Sequence, residues 1–322
     1  MKNLLEGVFV VALGFVALAN VASAQQKTVI TFAYTDDITY EPYLYAIEKG
    51  FVSSKTVEIK LLPTAIPALL QSTGTKQFDL VETSPLLLAN AVSKGLDARI
   101  AGTAGIVQGG RFVFVKKDSP IMSPAGLKGK SMGVTAVAST LVAHIRAVLA
   151  KQHHLNVNLE NGDIRWVDLP PPTLASALDR GQIDSAYLIH VVSLRALESS
   201  KYRILVDMTK EFRKDFGVAP LTSVLATYDS KIAEKGAALR EAVSMLRASA
   251  AYAKAHQAQV IDDVAKQHNF PAKDLKTVSF NWYTISFGLG AADKKAIETI
   301  LNIGKDEGLI QAYPPLGKFL WE

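Results

Sequence analysis

The chain has 322 residues, 49% of them apolar, with 35 Lys and Arg against 30 Asp and Glu for a net charge of +5. It contains no cysteine, which excludes disulfides, thiolate nucleophiles, cysteine zinc sites and a lipid-modified N-terminal cysteine. Its charges are interspersed with no basic run, which excludes a clustered nucleic-acid face and leaves a mildly basic chain that suits small anionic ligands and plain solubility equally. At the N-terminus, Lys2 precedes an apolar run over 8–21, broken only by small residues and Asn20, and then Ala22-Ser23-Ala24. Despite the early Glu6, this is the pattern of a secretory signal peptide (1–24) cleaved after Ala24. The run is short for a bilayer span, and nothing after Gln25 is long and apolar enough for one. The expectation is export to a periplasm.

The mature length predicts two domains. A β-rich run over 28–34 (TVITFAY) is followed by a DDITY loop and a helix opened by Pro42 and closed by Gly50. Strands are predicted over 56–61, 78–81 and 97–103, with a short helix from Ala68 and another from Ser84-Pro85 to Gly95. Further strands fall at 111–115 (RFVFV), 131–134, 164–169, 185–189, 202–206 and 222–228, with a helix over 172–180. From Ser230 onward the chain reads helical. Alternation at this pace is α/β with mostly parallel sheets, and the helical tail is expected to return onto the first domain.

The stretch 131–149, SMGVTAVASTLVAHIRAVL, reads as strand, small-residue loop and helix, with Ser139 or Thr140 as N-cap. Such a helix start offers backbone N–H donors and a dipole to an anion, or is simply capped. An internal similarity accompanies it. Leu62-Pro63 leads through a helix to Phe78-Asp79-Leu80, and Leu169-Pro170 leads through a helix to Ile183-Asp184-Ser185, with Pro-to-Asp spacings of 16 and 14. Two lobes built alike would set their loops at the carboxyl ends of parallel strands, where open α/β sheets bind ligands.

Four segments, TKQFDLVETSP (75–85), SPIMSPAGLKGKSMGV (119–134), VASTLVAHIRAVL (137–149) and LDRGQIDSAYL (178–188), taken in this order, resemble the periplasmic substrate-binding proteins of ABC importers for nitrate, alkanesulfonates, taurine and related compounds. The resemblance implies a two-lobed, type II-like periplasmic binding protein, each lobe a mostly parallel sheet flanked by helices. Lobe 1 would hold 27–108 and 221–322, and lobe 2 would hold 109–220. A small organic anion of sulfonate or carboxylate type would bind in the cleft and be enclosed by lobe closure. The partners implied are that ligand and the transmembrane subunits of an importer, for a monomer with no cofactor and no metal. By position, the lining would come from Thr39, Tyr40, Thr64, Ala65, Glu82, Thr83, Ser84, Thr135, Val137, Ser139, Thr140, Pro171, Tyr187, His190 and Thr222. Two features depart from the family's pattern. Glu82 stands where a small neutral residue is usual, and it would repel an anion unless it points away or the ligand carries a cationic or donor group. His190-Val191 replaces the usual Glu-Pro.

Among the residues themselves, Tyr40 and Tyr187 can serve a ligand or the core, and His190 can bond a ligand or sit satisfied in its loop. Trp282 and Tyr283, in SFNWYTISF, are expected in the core. Gly129-Lys130-Ser131-Met132-Gly133 matches G-x-S-x-G, but its serine begins a strand rather than following one. As the end of a P-loop it fails at Pro124, where glycine is required. There is no H-E-x-x-H, and His153-His154 are adjacent, a poor chelating pair. A pyrimidine-synthesising branch of the superfamily uses a cysteine-rich motif, absent here. Three readings follow: a transport binding protein, a periplasmic sensor subunit that binds ligand for a receptor, and a periplasmic hydrolase.

Overall fold

Apolar runs punctuated by Pro and Gly build two sheets, and the chain passes from one to the other and back. The computed structural model describes residues 26–137 and 139–322, so the expected signal peptide lies outside the described residues. The chain begins with β1 (Thr28–Thr35), α1 (Glu41–Glu48), β2 (Val57–Thr64), α2 (Ile66–Ser72), β3 (Leu80–Thr83), α3 (Pro85–Ser93) and β4 (Ala98–Val107). The middle holds β5 (Phe112–Lys116), β6 (Lys130–Val134), α4 (Thr140–His153), β7 (Ile164–Asp168), α5 (Pro171–Asp179), β8 (Ser185–Leu188), α6 (His190–Glu198), β9 (Tyr202–Asp207) and α7 (Met208–Phe216). The return holds β10 (Leu221–Tyr228), α8 (Asp229–Ala255), α9 (Gln257–Gln267), α10 (Ala272–Lys276), β11 (Tyr283–Thr284), α11 (Ala291–Asp306) and α12 (Leu316–Phe319).

One sheet has the order β11-β4-β10-β3-β1-β2 and the other β7-β6-β8-β5-β9. The strands linked by α1, α2, α4 and α5 run parallel, β1 pairing with β2 and β3, and β6 with β7 and β8. The strands at the crossings, β5 and β10, run antiparallel to their neighbours. Each sheet is therefore mixed rather than mostly parallel, because a strand that enters from the other sheet has no βαβ crossover to set its direction.

The repeated Leu-Pro…Asp units adopt one structure twice. Asp79 Oδ2 accepts the Thr31 N–H and hydroxyl, both at 2.9 Å, while the Asp79 N–H donates to Thr31 Oγ1 at 2.9 Å. Asp184 Oδ2 likewise accepts the Ser131 N–H at 2.8 Å and hydroxyl at 2.7 Å, and its own N–H donates to Ser131 Oγ at 2.9 Å. Each unit thus pins a strand start to its parallel neighbour. Ser131 is buried in this clasp, so the G-x-S-x-G match carries no exposed nucleophile.

The tail packs on the first sheet, α8 over α1 and β2, and α11 against α3 and α4. Residues 277–284 depart from the expected all-helical tail. A π-helical turn, Thr277–Asn281, ends in β11, whose Tyr283 and Thr284 pair with Val107 and Ile106 at the end of β4. The Gln108 N–H donates to the Trp282 carbonyl at 2.8 Å, which ties this segment to the outgoing crossing. Gly110 lies in that crossing at φ +72°, and a Cβ there would meet Trp282 Cε3 at 2.1 Å. A single apolar cluster runs between the sheets, joining Val142, Ile145 and Leu149 of α4 to Val224 of β10 and Ile297 and Leu301 of α11.

Candidate functional site

Where the strand ends of the two sheets face each other there is a cavity of about 220 Å³. Its most distinctive wall residue is Arg111, which precedes β5 at the crossing and is 1% exposed. Its Nη2 donates to the Tyr283 hydroxyl at 2.7 Å and lies 3.2 Å from His190 Nε2, and the guanidinium stands over the Tyr283 ring at 5.4 Å. Nη1 is buried without a hydrogen-bond partner. An arginine cannot shed its charge, so a buried guanidinium with spare donors is a strong anion seat.

His190 opens α6 with φ +51°, a left-handed conformation that a non-glycine residue adopts only under constraint. The constraint here is its ring, whose Nδ1 lies 3.4 Å from both Asp37 Oδ2 and Thr39 Oγ1 on the β1–α1 loop. Burial would raise the Asp37 carboxyl. The His190 imidazole, by charge and hydrogen bond, outweighs that and, with the Thr39 N–H, holds Asp37 well below the usual carboxylate range.

The floor is a row of hydroxyls. Tyr283 OH meets Thr222 Oγ1 at 2.9 Å, and the neighbouring Ser223 Oγ meets Tyr40 OH at 3.2 Å. Burial raises the Tyr40 phenol well above its ordinary value, and the nearby Glu82 carboxylate adds to the effect. Burial likewise raises Tyr283, against the opposing pull of Arg111. Both phenols are therefore neutral. Glu82 closes the far end at 5% exposure, its Oε2 accepting the Thr35 N–H at 2.8 Å. Ile66, Leu69, Leu70 and Leu141 supply an apolar side wall.

At the start of α4 the Val142 N–H donates to Ser139 Oγ at 3.4 Å, a long N-cap bond. The loop amides just before it are occupied, since Ala136 and Val137 N–H donate to the Asp168 carboxylate at 3.0 and 3.3 Å. The hydroxyls of Thr140, from the second sheet's side, and Ser84, from the first, meet at 2.6 Å across the cavity.

Of the residues expected from the sequence, Tyr40, Glu82, Thr83, Ser84, Thr135, Ser139, Thr140, Pro171, His190 and Thr222 line the cavity. Thr83 does so with its hydroxyl taken by Thr73 at 2.6 Å. Thr39, Thr64, Ala65, Val137 and Tyr187 are not in its wall. Thr39 is wholly buried beneath the site, and Thr64 turns its hydroxyl onto the Leu62 carbonyl. Tyr187 is buried in the second lobe's core, since all four residues of β8 are enclosed. Tyr283 is buried in the first lobe's core cluster, as expected, and also stands in the cavity wall beside Arg111, while Trp282 packs over Gly110. Arg111, Asp37 and Ser223 escaped the sequence reading. The one signal for Arg111 was a lone cation between Gly109-Gly110 and the apolar run FVFV. Among the described residues no cluster of metal-ligating side chains is present and no helix is long and apolar enough to cross a membrane.

The fold has solved counterparts. The periplasmic aliphatic sulphonate binding protein SsuA from Escherichia coli aligns with a TM-score of 0.71 at 18% identity, over 92% of this chain and 98% of that one. The alkanesulfonate-binding protein SsuA from Xanthomonas axonopodis pv. citri, bound to MOPS, aligns at 0.69 and 17%, over 92% and 99%. The desulfurization enzyme DSZB shares the fold at 0.61 and 16%, over 91% and 96%. No curated protein sequence matches the chain. The two-lobed architecture is thus that of SsuA-type periplasmic binding proteins. A family model described as NMT1/THI5 like matches residues 38–260, most of the chain and nearly all of the cavity wall, and the protein belongs to that family.

Proposed function

We propose that the protein is the periplasmic solute-binding component of an ABC importer, holding a small organic anion of sulfonate or carboxylate type between its lobes and passing it to the transmembrane subunits. The observation that carries this reading is the buried Arg111 in the cavity wall. The likeness to sulfonate-binding proteins supports it. Ser84 and Thr140, already in contact across the cleft, and Ser139 would add hydroxyl donors as the lobes close on the ligand. Cleavage after Ala24 would deliver the chain to the periplasm, and the intact mass of the periplasmic form is expected to start at Gln25.

Binding without turnover is the reading favoured over the hydrolase that the DSZB likeness raises. A hydrolytic His190 would need a cavity hydroxyl or water on Nε2, and Arg111 occupies that side. A thermal-shift screen of sulfonates, aliphatic and aromatic carboxylates, nitrate and pyrimidines tests the proposal. A ligand at 100 times its Kd stabilises the protein by about 2.7 kcal/mol. At this chain length that is at most roughly 2–4 °C per kcal/mol. Recovery of a chemically altered compound, or no shift with any anion, would defeat it.

A further inference from the structure

We propose that an anion binding in this cavity brings a proton with it, taken up by His190, whose imidazolium then joins Arg111 as a second cationic donor. This rests on the anion-binding reading above and adds to it a recognition residue and its proton.

A guanidinium can only donate hydrogen bonds. Arg111 Nη2 lies 3.2 Å from His190 Nε2, so Nε2 carries the lone pair in this arrangement and the ring's hydrogen sits on Nδ1. There it faces Asp37 Oδ2 and Thr39 Oγ1, both at 3.4 Å. The other Nη2 hydrogen goes to the Tyr283 hydroxyl at 2.7 Å. An anion reaching Nη2 must displace one of these partners, and the longer contact, to His190, is the one to yield.

The ring stands between opposed influences. Asp37, fixed by the Thr39 N–H on Oδ1 at 2.8 Å, favours the charged imidazolium. Arg111 favours the neutral ring, both by its charge and because a hydrogen on Nε2 would meet the one on Nη2. Tyr283, whose ring centre is 5.2 Å away, is neutral. The other titratable groups of the wall, Tyr40 and Glu82, hydrogen-bond to each other, and Glu82 also holds the Thr35 N–H. Along α6 the next charged residue, Arg195, pairs with Glu198 and Asp274. An anion beside Arg111 resolves the contest. It draws the Nη2 hydrogen, offsets the guanidinium's charge and leaves Nε2 free to take a proton from water. Arg111 stays charged, Nδ1 keeps its hydrogen, and the new Nε2–H donates to the anion. His190 opens α6 beside the second sheet and Asp37 follows β1 of the first, so the added charge also strengthens a contact across the cleft.

The test is titration of the whole protein with propanesulfonate, benzenesulfonate and nitrate, anions that keep their charge across the range in which an imidazole titrates. In the wild type at least one should bind with a Kd that rises roughly tenfold between about pH 6 and about pH 8.5, and a pH-stat should record proton uptake on binding near the middle of that range. His190→Asn tolerates the left-handed backbone and keeps an N–H for Asp37, but takes no proton. Its binding should be weaker, independent of pH and free of uptake. In Asp37→Asn the pH dependence should move to lower pH, because the imidazolium loses its counter-charge. Wild-type binding without uptake would overturn the proposal and leave the anion-binding reading intact. Uptake that persists in His190→Asn would do the same and place the proton on Glu82. Should that variant fail to fold, an unchanged pH dependence in Asp37→Asn would overturn the proposal. No binding by any of the three anions at any pH would overturn both.

Discussion

Replacing Arg111 with Met keeps an unbranched apolar stem and removes the guanidinium with its charge, and the structure predicts opposite effects on affinity and stability. A ligand acid group on a buried guanidinium is a hydrogen-bonded charge pair, and truncating one side of such a pair costs about 2–5 kcal/mol. Binding should fall by roughly 30-fold to several thousandfold. Without ligand the balance is different. His190 and Tyr283 each lose one donor, at about 1 kcal/mol apiece. Against that, exchanging buried unpartnered charge for apolar volume contributes about 1–4 kcal/mol. The ligand-free variant should therefore be as stable as the wild type or slightly more so. Urea unfolding of the ligand-free protein, beside titration of both proteins with an anion the wild type binds, measures the two quantities. A variant that loses more than about 3 kcal/mol of stability yet binds at wild-type strength would refute the reasoning and make Arg111 a structural residue.

Three further outcomes follow from the packing. His144 is wholly buried with both ring nitrogens unpartnered, and burial, with the charge of Arg111 adding to it, drives its pKa down to about 3. Below pH 6.5 the unfolded chain takes up a proton that the folded core refuses, so stability is lost as pH falls from there toward 3. Between pH 7.5 and 5 this residue should account for about 2 kcal/mol, and denaturant unfolding of His144→Phe at the two pH values should show a loss smaller by that amount. Gly110→Ala forces a left-handed alanine into the Trp282 ring, and should destabilise by about 2–5 kcal/mol with a changed near-ultraviolet signal from that tryptophan. Asp184→Ala leaves the Ser131 N–H and hydroxyl without their acceptor, and should lower the unfolding free energy read from urea denaturation by about 1–3 kcal/mol while titration shows unchanged affinity, because neither clasp residue is in the cavity wall.

The architecture was legible because it repeats. Leu62-Pro63…Asp79 and Leu169-Pro170…Asp184 are visible in the chain, and each is one βαβ turn with a fixed register pin. The site was legible mostly at and just beyond strand ends, as with Glu82 and Thr83 at the end of β3, Ser84 after it, Ser139-Thr140 and His190. Inside a strand the reading lost track of which face a side chain takes. Tyr187 goes to the core because β8 is enclosed on both sides, whereas Tyr283, core as its aromatic segment suggested, also reaches the cavity wall through its pairing with the end of β4. Arg111 could not be found from its neighbours in the chain, since what makes it an anion seat is the convergence of His190 and Tyr283 from distant segments.

The place of β10 in its sheet has a consequence for how the chain can assemble. All eight residues of β10 are buried between β3 and β4, which do not pair with each other. The strand arrives only after the whole middle segment has been made. Until Leu221–Tyr228 emerges, β3 and β4 each present an open hydrogen-bonding edge, while β1, β2 and β3 can already pair through short loops. The second sheet, whose strands all lie between 112 and 207, can close on its own contacts first. Insertion of β10 is then the late, long-range step that completes the first sheet and, through Thr222 and Ser223, the floor of the cavity. A chain truncated before residue 221 would keep the second sheet's pairing partners and lack the strand that joins the two parts of the first.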